Sequence, residues 1–374
     1  MKVLYVSRGY TTHDHRFLSS FVTAGWSPTH LPMLAEKLET RPLPAGVESL
    51  RWTTDLRDPC CHADWSERRD RLAEIVRRMR PDAVIAGPIQ SGAFVATLAR
   101  ATPLVAVSWG SDMLVDADAT DFSRFVTRHT LAASDVVFGD CQAVREAVRR
   151  HSCIADDRIV TFPWGIEIDR FSPALSSLTV RNDLGWAGSE IFISTRSWEP
   201  IYAIDVLVRA FATVARSRPS ARLLLLGDGS QQLEIQSLIE KMGIGHIVHT
   251  PGRVAYVDLP EYFRLADAYV SSALSDGTSV SLLEAMACGL PVVVSRSFGN
   301  LEWVEQGVNG ALATPGSADS LSAAMASLPP MGSGERSRIA AANVASARTR
   351  ANWEMNFPSL AKVVENLASG SRVT

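Results

Sequence analysis

Short apolar runs rich in β-branched residues recur along the chain and alternate with longer segments of helical spacing. Such runs without polar alternation are typical of strands buried on both faces, as in a parallel sheet covered by helices. The predicted strands are Val3–Ser7, Ala83–Ala86, Leu104–Ser108, Val136–Phe138, Ile159–Phe162, Ile191–Thr195, Leu223–Leu226, Ile247–His249, Ala268–Ser271 and Val292–Val294. A Pro- and Ser-containing stretch, Phe171–Arg181, separates the two halves of this set, so we predict two doubly wound α/β domains.

The predicted organisation is a Rossmann-like domain over residues 1–172, a second over 173–350, and a C-terminal segment over 351–374. A length of 374 residues suits two domains. The C-terminal segment has an amphipathic pattern, Trp353–Leu367, and we expect this helix to cross back to the first domain. An alanine-rich helix, Arg336–Thr349, precedes it.

Composition and charge narrow the function classes. Hydrophobic residues make up 46% and charged residues 21% of the chain, as in soluble globular proteins. The net charge of −3 argues against a nucleic-acid partner. Five cysteines are few and odd in number, which favours a reducing cytosol over a disulfide framework. No apolar stretch approaches the roughly 20 residues of a spanning helix, and Met1–Ser7 lacks a signal-peptide pattern.

The segment Ser66–Arg80 is predicted to be helical and is rich in arginine. It could lie on anionic lipid, or it could be a solvated face in which Glu67, Asp70 and Glu74 balance the arginines. We therefore expect a cytoplasmic protein that at most binds peripherally to the inner face of the membrane.

The most informative segment is Ser275–Val294, where a Gly/Ser/Thr loop follows a predicted strand and leads into a predicted helix near Val280. Free backbone N–H groups and the helix dipole make a helix N-terminus an anion site. Asp276 and Glu284 flank this site, and carboxylates accept hydrogen bonds from sugar hydroxyls. The pattern suits a ligand with phosphate between hydroxylated rings, although a capped helix packed on a sheet would also give it.

This segment resembles the acidic-x7-Glu signature of the retaining glycosyltransferases of family 4, also called glycosyl transferases group 1. The resemblance implies a GT-B fold, which consists of two Rossmann-like domains facing a cleft. It assigns donor-sugar hydroxyls to Asp276 and the nucleotide ribose to Glu284, with Gly277, Thr278, Ser279 and Val280 around the donor. One departure is that the first acid is Asp, where Glu is commoner in the family.

Further donor-side residues fall in the family's order. The resemblance places Arg196, after the first strand of the second domain, on the donor diphosphate, where its planar fork suits phosphate oxygens. The family usually has Lys-Gly shortly afterwards, but Tyr202-Ala203 stand there in this chain. Gly229 and Arg253 lie in strand-end turns that the family uses to approach the nucleotide. Any tight turn after a strand would also favour glycine.

In the first domain, a polar cluster follows the first strand, at the edge where α/β proteins bind ligands. Gly9, His13 and Arg16 are candidates for contact with the acceptor or donor phosphate, and a structural turn is the alternative. Trp109 stands where the family often has a His near the reacting sugar. A Trp cannot act as a base, but it can stack on a sugar. Asp112 could bind an acceptor hydroxyl or cap the following loop.

Three short patterns suggest metal chemistry, and each has a simpler interpretation. His13-Asp14-His15 could be the His-x-His of a metal-dependent hydrolase, but further ligands at later strand ends are not evident. Asp116-Ala117-Asp118 resembles the metal motif of GT-A glycosyltransferases, and a solvated loop explains it better. Cys60-Cys61-His62 has no second Cys pair, so we interpret it as part of a loop. We expect no metal and no cofactor.

The sequence therefore predicts a metal-independent retaining hexosyltransferase. It would move a sugar from a nucleotide-diphosphate-sugar, a UDP- or GDP-sugar, to a hydroxyl of a glycan, a lipid-linked acceptor or a small molecule. Its catalytic residues would be Arg196 and Asp276. Two alternatives are a GT-B relative of another reaction class, such as a nucleotide-sugar epimerase or a phosphorylase, and a catalytically silent nucleotide-sugar-binding protein.

Overall fold

A computed structural model describes residues 1–34, 39–52, 59, 61–176 and 179–370. The chain forms two compact units, residues 1–163 together with 356–374, and residues 164–355. The predicted boundaries, after residues 172 and 350, differ from these. Residues after Pro163 group with the second unit because Ile166 N donates to Ala351 O (2.8 Å) and Trp353 N donates to Ile166 O (3.2 Å).

The described part of the first unit contains a seven-stranded parallel sheet of order β3-β2-β1-β4-β5-β6-β7. Its strands are β1 (Lys2–Ser7), β2 (Ser27–Pro32), β3 (Glu48–Ser49), β4 (Ala83–Ala86), β5 (Leu104–Val107), β6 (Val136–Gly139) and β7 (Ile159–Thr161). Its helices are α1 (Thr12–Thr23), α2 (His62–Met79), α3 (Phe94–Leu98), α4 (Ser111–Leu114), α5 (Asp121–Ala133) and α6 (Gln142–His151).

The described part of the second unit contains a six-stranded parallel sheet of order β10-β9-β8-β11-β12-β13. Its strands are β8 (Glu190–Ser194), β9 (Ala221–Leu226), β10 (Val248–Gly252), β11 (Ala268–Ser271), β12 (Val292–Ser295) and β13 (Gly310–Ala313). Its helices are α7 (Val180–Asp183), α8 (Ile204–Ser217), α9 (Gln232–Lys241), α10 (Leu259–Leu265), α11 (Val280–Ala287), α12 (Phe298–Leu301), α13 (Ala318–Ala326) and α14 (Gly334–Arg350).

The second sheet carries a hydrophobic core on each face. Successive side chains of a strand point to opposite faces, so Ile191 and Ile193 of β8 join one core, whereas Phe192 between them joins the other. Both faces are covered by helices, and β8 is buried along its whole length. This burial explains why the strand is apolar without polar alternation.

The last helix, α15 (Trp353–Ala368), starts in the second unit and belongs to the first unit from Asn356 onward. Within the first unit the Phe357 ring lies 6.1 Å from that of Phe21 and 6.2 Å from that of Trp26. The Trp26 indole N–H donates to Glu365 at 3.1 Å. Across the described residues, we find no helix that combines the length and the apolar character needed to cross a membrane.

Candidate functional site

The strand order of the second unit places the carboxyl ends of β8 and β11 side by side. Strand order reverses between these two strands, since β9 and β10 lie beyond β8 whereas β12 and β13 lie beyond β11. Ligands of open α/β sheets bind at such a switch point, outside the carboxyl ends of the strands. Arg196 follows β8, and the loop that carries Asp276 follows β11. The topology therefore brings together residues that are 80 positions apart in sequence.

Arg196 is the centre of this strand-end cluster. Its Nη1 donates to the hydroxyl of Ser279 at 2.9 Å and to the hydroxyl of Ser281 at 3.1 Å. Its Nη2 lies 3.1 Å from Oδ2 of Asp276. The side chains of Arg196 and Asp276 are only 10% and 14% exposed. A buried charge pair of this kind is stable only when its remaining polar atoms are also satisfied.

The Arg196 guanidinium also lies over an aromatic ring. The Arg196 Cζ lies 4.1 Å from the centroid of the Tyr202 ring, which is well within the range of a cation–π contact. Tyr202 closes a 3₁₀ turn over Pro200–Tyr202, and Ala203 after it has φ = 46°. That left-handed conformation favours glycine, and Ala203 adopts it directly before α8.

The start of α11 is linked to Arg196 through serine hydroxyls. Ser279 is the N-cap residue of α11, yet its side chain makes no capping hydrogen bond to the helix backbone and instead accepts from Arg196. Ser281 also bonds the Tyr269 hydroxyl at 2.8 Å. The N-terminal dipole end of α11 and a guanidinium therefore lie at the same strand edge, and both favour an anion.

Several buried polar atoms at this edge make no hydrogen bond within the described part of the chain. They are Ser194 Oγ, Thr195 Oγ1, Arg196 Nε and Ser271 Oγ. A buried polar atom without a partner costs free energy, so such atoms in a native protein call for an explanation. A ligand with several oxygen atoms would provide partners for them.

The pKa values show how burial and charge compete in the pair. Burial would lower the pKa of Arg196, but the Asp276 carboxylate and then the Tyr202 phenol raise it, and the net shift is upward. Burial raises the pKa of Asp276, and the neighbouring Arg196 only partly opposes this shift. The guanidinium is therefore firmly charged, whereas the carboxylate is the partner that is less stable as a charge.

Glycines at the neighbouring strand ends allow loops to pack closely on one another. A Cβ on Gly227 would lie 2.7 Å from Arg196 O, and one on Gly229 would lie 2.6 Å from Trp198 O. A Cβ on Gly299, at the start of α12, would lie 2.0 Å from Gly277 O. Close packing against Trp198 therefore explains a glycine at position 229. An approach to the nucleotide stays a prediction.

Arg253 lies at the end of β10 and pairs with Asp228 at the end of β9. Its Nη2 is 2.6 Å from Oδ1 of Asp228, and both side chains are about two-fifths exposed (41% and 40%). Glu284 lies in α11, four residues after Val280, and is 3% exposed. Thr278 is buried at 5% exposure. Whether these residues hold a nucleotide stays a prediction.

In the first unit, Asp112 holds the loop that follows β5. Its Oδ1 accepts from the Ser108 hydroxyl (2.7 Å) and from Trp109 N (2.9 Å), and its Oδ2 accepts from Ile89 N (3.0 Å). Burial raises the pKa of Asp112 to about 6, although these hydrogen bonds act to lower it. Of the two roles suggested by the sequence, the geometry favours loop capping, because both carboxylate oxygens already accept protein donors.

Other first-unit candidates gather around Trp109. The His13 ring lies 5.6 Å from the Trp109 ring, and the Phe17 ring lies 5.8 Å from it. The carbonyl of Gly9 accepts from the Ser7 hydroxyl at 2.7 Å. Arg16 is buried on α1 at 5% exposure. His13 and Trp109 are therefore neighbours at the carboxyl edge of this sheet, as required of residues that share one ligand.

In the His13-Asp14-His15 pattern, Asp14 and His15 have ordinary structural partners. Asp14 forms a capping box at the start of α1 with Thr11, whose N and Oγ1 donate to Asp14 at 2.7 and 2.6 Å. His15 Nδ1 bonds the Tyr10 hydroxyl at 2.9 Å. Cys60 lies outside the described residues. Across residues that are described, no group of three His, Cys, Asp or Glu side chains is arranged to hold a metal ion.

Sequence reasoning missed three residues that shape the Arg196 cluster, namely Tyr269, Ser272 and Gly299. Tyr269 lies inside the apolar run of β11, and its polar hydroxyl was the only signal there. Ser272 Oγ donates to Tyr202 O (2.8 Å) and Ala203 O (2.9 Å). Its partners lie about 70 positions earlier in the chain, so no local pattern could have identified them.

Comparison with known proteins links part of the chain to one family. The family model described as glycosyl transferases group 1 matches residues 178–342. This match covers somewhat less than half of the chain. The match includes Arg196, Asp276 and α11, so the resemblance drawn from the acidic-x7-Glu segment is confirmed.

Curated relatives that the chain resembles are named as glycosyltransferases. Over 217 residues the chain is 26% identical to a GDP-mannose-dependent alpha-(1-6)-phosphatidylinositol monomannoside mannosyltransferase of Mycolicibacterium smegmatis, covering 56% of this chain and 53% of the relative. Over 196 residues it is 28% identical to a D-inositol 3-phosphate glycosyltransferase of Streptomyces scabiei, covering 50% of this chain and 44% of the relative. The chain thus aligns with about half the length of these relatives.

Solved structures resemble the whole chain. The Anabaena HepE protein in complex with UDP and glucose has a TM-score of 0.81 at 19% identity, covering 98% of this chain and 100% of that one. Sucrose-phosphate synthase from Thermosynechococcus elongatus has a TM-score of 0.84 at 16% identity, covering 99% and 100%. At these identities the likeness shows the fold alone, which is the predicted GT-B class with two Rossmann-like parallel-sheet domains.

Proposed function

We propose that the chain is a glycosyltransferase that moves a hexose from a nucleotide-diphosphate-sugar to a hydroxyl acceptor. The observation that carries this proposal is the Arg196–Asp276 cluster at the β8/β11 switch point, beside the start of α11. A guanidinium and a helix N-terminus favour a diphosphate. A carboxylate beside them can accept hydrogen bonds from the hydroxyls of the attached sugar.

The same geometry suits the bond changes of glycosyl transfer. The bond between the anomeric carbon and the donor phosphate oxygen breaks, and a bond from that carbon to the acceptor oxygen forms. Negative charge develops on the leaving diphosphate, where Arg196 and the α11 N-terminus would stabilise it. The departing phosphate takes the acceptor's proton on the same face of the sugar, so the anomeric configuration is retained and neither an enzyme base nor a metal is required.

The nature of the donor and the acceptor is part of the proposal. A relative carries GDP-mannose in its name, and the HepE structure contains UDP and glucose, which supports a GDP- or UDP-sugar. In this scheme Glu284 holds the ribose, and the first unit binds the acceptor through His13 and Trp109. The acceptor is a hydroxyl of a glycan, a lipid-linked molecule or a small molecule.

Peripheral contact with the inner face of a membrane belongs to the same proposal. Arg77, Arg78 and Arg80 at the end of α2 are exposed and could lie against anionic lipid. Earlier in the helix, Arg69 pairs with Asp70 at 2.8 Å and Arg71 with Glu74 at 2.9 Å. The proposed membrane contact therefore rests on the exposed arginines at the end of α2.

The function can be tested with purified protein. A thermal-shift screen against UDP-, GDP-, ADP- and dTDP-sugars should identify one base by a rise in melting temperature, since a ligand that binds the native state stabilises it. NMR of the product should then show a retained anomeric configuration, with activity unaffected by EDTA. Inverted product or loss of activity in EDTA would contradict the mechanism. Donor binding without transfer to any acceptor would instead favour a silent binding protein.

A further inference from the structure

The Arg196 guanidinium makes hydrogen bonds, an ion pair and a contact with an aromatic ring. Its Nη1 donates to Ser279 and Ser281, and its Nη2 pairs with Asp276. Its Cζ lies over the Tyr202 ring, 4.1 Å from the ring centroid. A cation–π contact of this kind fixes the position of the guanidinium without taking the place of an oxygen ligand.

We propose that Tyr202 is a positioning residue that holds Arg196 in the orientation in which it receives the donor diphosphate. This inference rests on the proposed function, because it assumes that Arg196 binds the diphosphate. It concerns the residue that closes the turn before α8, and it assigns to the aromatic ring a role that a second cation cannot fill.

The Tyr202 backbone is fixed by the loop that carries Asp276. Ser272 Oγ donates to Tyr202 O at 2.8 Å, and Leu274 N donates to Ile201 O at 2.8 Å. Ser272 and Leu274 lie just before Asp276 in the β11–α11 loop. The turn that presents the ring and the loop that presents the carboxylate therefore form one hydrogen-bonded unit, and Arg196 lies between them.

The turn that carries Tyr202 ends on a residue in an uncommon backbone conformation. Ala203 has φ = 46°, in the left-handed region that favours glycine. Tyr202 places a rigid ring beside Arg196, whereas a lysine there would place a flexible second cation beside it. Affinity for a diphosphate should then depend strongly on the Tyr202 ring.

The test is calorimetric affinity for UDP and GDP in wild type and three Tyr202 variants. Tyr202→Leu should weaken binding about tenfold, in line with a partly desolvated cation–π contact. Tyr202→Phe keeps the ring and should restore affinity to within about threefold of wild type. Tyr202→Lys should also bind more weakly than wild type, because it removes the ring and places a second cation against Arg196. Tyr262→Leu, a half-buried tyrosine on α10, controls for loss of packing.

Two results would overturn the inference. One is a Leu variant that binds as tightly as wild type, and the other is a Lys variant that binds more tightly, since position 202 would then matter only for charge. In the transfer assay, Tyr202→Leu should raise KM for the donor more than it lowers kcat.

Crystal structures of wild type and Tyr202→Leu give a readout that needs no nucleotide. The guanidinium should lie over the ring in wild type and leave that orientation in the variant, and an unmoved Arg196 would contradict the inference. If wild type binds neither UDP nor GDP while the crystals show Arg196 displaced, the proposed function fails but the positioning role stands.

Discussion

Replacing Asp276 by Asn should tighten the binding of a free nucleoside diphosphate and weaken the transfer reaction. Asp276 is the ion-pair partner of Arg196 at 3.1 Å, with both side chains largely buried. A diphosphate that approaches Arg196 must compete with this carboxylate and is repelled by it. In the proposed function, the attached sugar instead uses this carboxylate as a hydrogen-bond acceptor. The two ligands should therefore respond to the substitution in opposite directions.

The magnitude follows from the distance and the burial. Two unit charges about 4 Å apart interact by about 4 kcal/mol at an effective dielectric constant of about 20. Asn keeps an oxygen that accepts from Arg196, so only part of this energy is released to the ligand. We expect the binding free energy of UDP or GDP to become more favourable by at least about 1.4 kcal/mol, which is a tenfold gain in affinity. Loss of a charged hydrogen bond to the sugar, about 1.5–3 kcal/mol, should lower kcat/KM for transfer roughly ten- to a hundredfold.

Calorimetry with the free nucleoside diphosphate and initial rates with the sugar nucleotide are the paired assays. Asp205→Asn is the matched control, since it removes one charge that lies 4.0 Å from Arg209 on α8, away from the Arg196 cluster. Burial raises the pKa of Asp276. As pH falls through that raised pKa, wild type loses the negative charge that competes with the diphosphate. The difference in diphosphate affinity between wild type and the Asn variant should therefore shrink. A folded Asn variant that binds the diphosphate more weakly would refute the reasoning.

Two further predictions concern the other carboxylates. Glu284→Gln should weaken nucleoside diphosphate binding about tenfold or more, because a hydrogen bond to a charged group contributes about 1.5–3 kcal/mol, and unchanged calorimetric affinity would remove its ribose role. Asp112 has its pKa raised from 3.8 to about 6, so its stabilising contribution is full below pH 3.8 and is lost as pH rises to about 6. The stability gap between wild type and Asp112→Ala in urea unfolding should thus narrow by about 2.4 kcal/mol from pH 4 to pH 7, whereas a constant gap would contradict the assigned shift.

The strands that sequence reasoning found are those whose burial makes them uniformly apolar. Val292–Val294 and Leu223–Leu226 are such runs, and both are confirmed within β12 and β9. The prediction missed β2, whose sequence contains two prolines and His30. This strand is largely buried, and its His30 is accommodated there because its Nε2 forms a hydrogen bond with Ser7 Oγ at 2.9 Å. Apolar patterning cannot detect a strand whose burial depends on a polar partner in another strand.

Two more strands escaped the pattern for other reasons. β3 (Glu48–Ser49) is two residues long and exposed, and it lies at the edge of its sheet. β13 has the sequence Gly-Ala-Leu-Ala, which lacks β-branched residues. A Cβ on Gly310 would lie 2.6 Å from Val292 O, so close approach to β12 explains the glycine. Edge position and backbone proximity are properties of the sheet and leave little trace in a single sequence.

The residues of the site also fall into a group that the sequence predicts and a group that only the fold brings together. A local motif was enough to find Asp276, Ser279 and the start of α11, because a loop that turns into a helix N-terminus has a recognisable composition. The pairing of Asp276 with Arg196 could not be read from the sequence, because it depends on the order of strands in the sheet. The cation–π contact of Tyr202 depends in addition on the hydrogen bond from the Ser272 hydroxyl to Tyr202 O. The Asp276–Arg196 pair and the Ser272–Tyr202 bond connect segments that are 70 to 80 positions apart.

The Arg196–Asp276 pair also gives a reason for a ring, and not an aliphatic side chain, at position 202. A buried guanidinium needs compensation, because desolvation of a single charge costs several kcal/mol. Asp276 compensates it in the structure, but in the proposed function the sugar takes the same carboxylate as a hydrogen-bond acceptor once a donor binds. During that exchange, the aromatic face of Tyr202 is a contact of Arg196 that neither ligand competes for. A site with a single guanidinium at this position therefore gains from a partner that stays in place while the ionic partners change.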